Sequence, residues 1–253
     1  MLHNVFKILI INLKMKKRPK FDVKKAIYPD GNPVYLAGLQ DKFTVKVAKF
    51  FYELGFTANL MTLTTFILAM SSILVLLLVR SYVGIVIAAI LIFLRNIGDM
   101  ADGKIARGSN SKSSIGGFSD LISDWIIFLP AFFITLGYIT NNITIGFLCV
   151  IGYMSREFAR TKFTYFYGKK ITETKEAKKM PLIVSLVRKY DLGSTFILMP
   201  LLLVLINPLW IIYAVVIIEY TLLSGELIFD YYCFLKTKKQ KDVTDTSKEL
   251  EHY

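Results

Sequence analysis

The sequence predicts an all-α polytopic membrane protein, with about six transmembrane helices preceded by an amphipathic interfacial helix. Two observations carry this. The hydrophobic fraction of 54% and mean hydropathy of +0.50 are too apolar for an ordinary soluble domain, so several runs must be long enough to cross a bilayer. The 31 basic residues are distributed around those apolar runs, a pattern of membrane topology. The formal charge of +12 is therefore not read as nucleic-acid binding, since no RNA- or DNA-binding motif accompanies it.

Residues 1–55 form a basic juxtamembrane region. The apolar run from Val5 to Ile11 is too short to span and leads into Lys14, Lys16, Lys17, Arg18 and Lys20. No small-residue cleavage site follows, so no signal peptide is expected and the plasma membrane is the expected location. Pro29-Asp30-Gly31-Asn32-Pro33 marks a turn. From Asp41 to Leu54, the apolar Phe43, Val47, Phe50, Phe51 and Leu54 oppose Lys42, Lys46 and Lys49. That pattern predicts an amphipathic helix on an anionic membrane surface, the alternative being a helix packed on the rest of the chain.

Residues 56–236 hold the expected spans, near 60–79, 82–101, 117–139, 143–164, 192–206 and 209–235, the fifth being short. With the amino terminus in the cytosol, the outer loops contain only Arg80 among all the lysines and arginines. The reverse orientation puts nearly every charge on the wrong side. Both termini are then cytosolic. Arg156, Arg160 and Lys162 fall at the inner end of the fourth span, where an arginine is costly unless paired or hydrated. Either a ligand or a carboxylate among Glu157, Glu219, Glu226 and Asp230 is expected to meet them. The lysine-rich loop 165–190 reads as a surface facing anionic lipid. Residues 237–253 form a charged cytosolic tail, expected to be disordered.

Cys149 and Cys233 lie in apolar segments without paired spacing and read as packing residues. His3 and His252 sit near the two ends, which leaves a carboxylate or a lysine as any general base.

The chemistry concentrates between Asp99 and Asp124. Asp99 and Asp102 are three residues apart and Asp120 and Asp124 four apart, so each pair shares a helix face, and two such helices joined by a short loop can converge. Carboxylates held that close repel unless a cation lies between them. Oxygen-only ligands with no nearby histidine or cysteine suit Mg²⁺ or Mn²⁺ rather than zinc. Gly103, Ala106 and Gly116 let a bulky ligand lie against backbone, and Arg107 adds a phosphate-binding fork. Together these describe a site for a nucleotide diphosphate. Arg95, one turn before Asp99, reads as its neutralising partner.

The spacing D-x-x-D-G-x-x-A-R-x(8)-G-x-x-x-D-x-x-x-D resembles the motif of the CDP-alcohol phosphotransferase family and matches it at every fixed position. The family's upstream T-P-N-x-x-T element appears as Thr57-Ala58-Asn59-Leu60-Met61-Thr62, with Ala58 where proline is usual. The resemblance implies a homodimeric, metal-dependent membrane transferase of phospholipid biosynthesis that releases CMP. It moves a phosphatidyl-type group from a CDP-linked lipid donor to a small alcohol acceptor. It further implies that Asp99, Asp102, Asp120 and Asp124 bind Mg²⁺ or Mn²⁺, with two ions expected, and that Asp124 also acts as general base. Asn59, Asp99, Gly103, Ala106, Arg107 and Gly116 are the implied donor-site residues. Arg160 and Arg188 are the acceptor candidates, and if they face the site they favour inositol phosphate or glycerol phosphate.

Two other functions are weighed. A CDP-choline or CDP-ethanolamine phosphotransferase using a diradylglycerol would share the motif. A cation-coupled transporter would also place carboxylates in the membrane, but these lie near one face and no inverted repeat accompanies them.

Overall fold

The computed structural model describes residues 19–27, 35–167 and 196–250, and every regular element among them is helical. In chain order these are α1 (Val23–Ala26), α2 (Tyr35–Glu53), α3 (Ala58–Leu78), α4 (Tyr82–Gly108), α5 (Ser114–Ile139), α6 (Ile143–Tyr167), α7 (Met199–Leu205) and α8 (Pro208–Leu250). Within α5 the segment Ile122–Phe128 is π-helical.

The boundaries follow local chemistry. Thr57, Ser81 and Ser113 each accept a hydrogen bond from a backbone N–H of the first turn they precede, so α3, α4 and α5 all start at a hydroxyl cap. The chain leaves α4 through Asn110 at φ 56° and turns from α5 to α6 through Asn141 at φ 55°, a conformation asparagine tolerates better than most residues. The α5–α6 hairpin is tight because glycine faces glycine. A Cβ on Gly137 would lie 3.0 Å from the Gly146 Cα, so neither helix could approach as closely with a larger residue.

Helices α3, α4, α5 and the Pro208–Ile228 part of α8 are each long and apolar enough to cross a membrane. Their apolar residues point both ways. Ile73, Leu76, Ile92, Phe132, Leu136 and Ile212 are buried in one core, which Tyr153 of α6 and Phe196 and Met199 complete. Leu63, Ile67, Leu74, Ile90 and Phe93 are exposed, as expected of helices whose outer face meets hydrocarbon. Helix α6 has the length of a span but carries Arg156, Glu157, Arg160 and Lys162. The expected fifth span, 192–206, is described only from Phe196 onward, so six spans remains an expectation.

A second, smaller core joins the amino-terminal part to the far end of α4. Phe21, Ala26, Val45, Ala48 and Tyr52 pack on Met61, Ala101 and Ile105. Helix α2 packs one face on the chain, the second of the two sequence readings, while its Phe43 and Phe50 remain exposed. The same packing covers the last turns of α4, which runs to Gly108, beyond the span expected to end near 101. The tail also departs from expectation, because α8 continues as helix to Leu250. No glycine or proline interrupts it after Gly225, and its lysine, glutamine and glutamate residues favour helix. The turn expected at Pro29–Pro33 and the 165–190 lysines from Gly168 onward lie outside the described residues.

Candidate active site

The site forms where the first turns of α3, the last turns of α4 and the first half of α5 meet. Helical spacing puts Asp99, Asp102, Gly103, Ala106 and Arg107 along the inner side of α4. Helix α5 presents Gly116, Asp120 and Asp124 opposite them.

Three of the four predicted carboxylates converge. One oxygen from each of Asp99, Asp120 and Asp124 lies within 4.8 Å of the others. Asp102 turns instead towards α3, where its Oδ2 accepts a hydrogen bond from Thr62 Oγ1 at 2.7 Å. Asp124 lies in the π-helical segment that begins at Ile122, one turn after Asp120.

Arg95 ties this end of α4 to α5. Its guanidinium contacts the Asp124 carboxylate and lies 3.7 Å from Asp99 Oδ2. It is 6% exposed, and Phe128 lies beneath it with its ring centroid 5.0 Å away. Asn96, which accepts from Arg95, is itself anchored by donating to the Phe196 carbonyl. Sequence spacing identified the Asp99 pairing but not the second one across to α5.

Beside the carboxylates lies an open cavity of about 250 Å³. Asn59, Gly103, Ala106, Arg107 and Gly116, five of the six predicted donor-site residues, line it together with Asp102 and Asp120. Asp99 belongs to the carboxylate group instead. Thr62, Ser111, Lys112 and Ser113 also line the cavity and were not singled out from sequence. Thr62 had a signal, since it closes the Thr57–Thr62 element; the other three lie in the unspecified eight-residue interval of the motif.

The small residues have steric reasons. A Cβ on Gly116 would lie 3.0 Å from Ser113 Oγ and 3.1 Å from Asn59 Oδ1, and one on Gly103 would lie 3.2 Å from Arg107 Nη1. Arg107 is oriented from behind, because its Nε donates to the Ala26 carbonyl at 3.1 Å. Helix α1 is in turn held by the Asp22 N–H, which donates to the Gly108 carbonyl at 2.9 Å.

The donor set of the carboxylate group is oxygen only and contains no imidazole or thiolate, which fits a hard divalent cation. Asp99, Asp120 and Asp124 would hold it.

Arg156 belongs to a separate buried cluster. It is 1% exposed and pairs with Glu219 at 3.1 Å and Glu226 at 3.3 Å, so the partners considered from sequence meet it. The Arg160 side chain and all of Arg188 lie outside the described residues, so the acceptor candidates have no structural placement.

No curated protein sequence matches the chain significantly. The family model for CDP-alcohol phosphatidyltransferase matches residues 56–224, a stretch that contains every residue of the cavity and the carboxylate group. The chain therefore belongs to the CDP-alcohol phosphatidyltransferase family, and family membership implies transfer of a phosphatidyl group from a CDP-alcohol to another alcohol.

Proposed function

We propose that the protein transfers a phosphatidyl-type group from a CDP-linked lipid to a small alcohol, with Mg²⁺ or Mn²⁺ and with release of CMP. The observation that supports this reading best is the adjacency of the cavity and the carboxylates. A nucleotide in the cavity would place its diphosphate beside Asp99, Asp120 and Asp124 while its lipid chains stay in the bilayer.

Gly103, Ala106 and Gly116 form the floor of the donor site, Asn59 borders it, and Arg107 binds donor phosphate. Asp99, Asp120 and Asp124 are the core of the metal-binding set, and Asp102, which lines the adjoining cavity with Asp120, completes it. A bound divalent cation would neutralise charge on the diphosphate. Asp124 accepts the proton of the acceptor hydroxyl. The acceptor oxygen bonds to the lipid-linked phosphorus as the bond from that phosphorus to the CMP oxygen breaks, and CMP leaves. Such a reaction depends on positioning and charge stabilisation more than on covalent help from the protein. The site faces the cytosol, where the nucleotide is soluble, and the protein acts as a homodimer. Inositol phosphate and glycerol phosphate are the acceptors to test first.

The roles separate in one variant. Asp124→Asn removes CMP release while leaving CDP-lipid binding within a few-fold of wild type. Full turnover in that variant excludes Asp124 as base.

A further inference from the structure

The opposite end of the bundle has a second cavity, of about 370 Å³, between the α3–α4 turn, the end of α5 and the start of α8. Along α4 it lies about 26 Å from Asp99, at 1.5 Å per residue from Tyr82. It therefore takes no part in the carboxylate site.

Its polar lining is Arg80, Ser81, Thr140 and Asn207, and no acidic residue lines it. Arg80 is positioned rather than loose. Its Nη2 donates to the Tyr138 hydroxyl at 2.6 Å, and its guanidinium carbon lies 4.8 Å from the centroid of that ring. It forms no ion pair among the described residues. A guanidinium has five N–H donors, so this one keeps a charge and most of its hydrogen-bonding capacity for something else. With the amino terminus in the cytosol, the sequence places it in an outer loop.

We propose that this cavity binds the phosphate of an anionic phospholipid headgroup, with Arg80 as its cation. Both α4 and α8 begin at its edge, capped by Ser81 and Asn207, and their amino-terminal ends add partial positive charge. The remaining walls, including Leu76, Ile85 and Leu209, are apolar, as needed beside the start of an acyl chain. Tyr82, Tyr138, Trp210 and Tyr213 are partly exposed around the same end, where aromatic residues mark the level of headgroups. Those surroundings favour a lipid over free phosphate, which shares the same chemistry.

The test uses delipidated full-length protein and native mass spectrometry, with short-chain phosphatidylglycerol, phosphatidylcholine of the same chain length and inorganic phosphate as separate probes. Wild type is expected to retain one phosphatidylglycerol more than Arg80→Gln, with at least tenfold tighter binding of that molecule, and to show no such difference with phosphatidylcholine. Tyr138→Phe, which keeps the cation but loses its tether, is expected to fall between them. Lys25→Gln, an equal charge change at an exposed position of α1, is expected to behave as wild type. Equal retention by wild type and Arg80→Gln overturns the proposal, as does an equal loss in Lys25→Gln. Arg80-dependent binding of phosphate without phosphatidylglycerol overturns the lipid assignment. Matching circular dichroism of the variants excludes misfolding as the cause of a loss.

Discussion

Arg95→Met removes the positive charge that the structure places among the carboxylates while keeping much of the side-chain volume. The guanidinium contacts Asp124 and approaches Asp99, whose side chains are 13% and 28% exposed. Removing one partner of a buried ion pair costs about 3–5 kcal/mol, because the other charge stays behind without compensation. For a chain of this size about 2–4 °C of melting temperature accompanies each kcal/mol, so the variant is expected to melt about 6–20 °C below wild type in EDTA. A divalent cation then has more to offer the variant than the wild type, since it replaces the lost charge. Thermal unfolding in detergent, with EDTA and with saturating Mg²⁺, reads both effects. The Mg²⁺-induced rise should be larger in Arg95→Met, and Arg95→Met/Asp124→Asn should recover part of the EDTA loss by removing a stranded carboxylate. A variant that melts with wild type in EDTA and gains no more from Mg²⁺ refutes the assignment of Arg95 as internal counter-charge.

Gly116→Ala forces a methyl group to within 3.0 Å of Ser113 Oγ, whereas Gly117→Ala meets nothing within 4 Å. Overpacking of about 1–3 kcal/mol is expected to lower the melting temperature of the first by about 2–12 °C, with the second near wild type, measured by thermal unfolding of the purified variants. Arg156→Met removes the guanidinium paired with the buried Glu219 and Glu226 and is expected to lower stability by about 3–5 kcal/mol. The KM for the acceptor, measured on the folded fraction, should stay unchanged; a raised KM with normal stability would instead make Arg156 a substrate ligand.

The carboxylate motif was legible because its information is local. Spacings of three and four residues specify a helix face whatever surrounds it, and the small residues at Gly103 and Gly116 signal close approach before any neighbour is known. What sequence could not supply was pairing across helices. Arg95 reads as a partner of Asp99 at i,i+4, but its contact with Asp124 crosses from α4 to α5, which leaves no mark in hydrophobic periodicity. The hydrogen bond that Thr62 makes to Asp102 from another helix is information of the same kind. Arg156 was open between ligand and structural partner until α8 brought Glu219 and Glu226 beside it. The packing of α1 and α2 on the last turns of α4 is a further contact between elements that spacing does not carry.

CMP release by the purified full-length protein tests the proposed reaction most directly. The assay combines CDP-diacylglycerol and Mg²⁺ with inositol phosphate, glycerol phosphate, inositol, serine or no acceptor, each with an EDTA control. Release that requires the metal and one of these acceptors is the expected result, and it names the acceptor at the same time. No release with CDP-diacylglycerol, CDP-ether lipid, CDP-choline or CDP-ethanolamine, each offered with its matching acceptors, would contradict the proposed transfer.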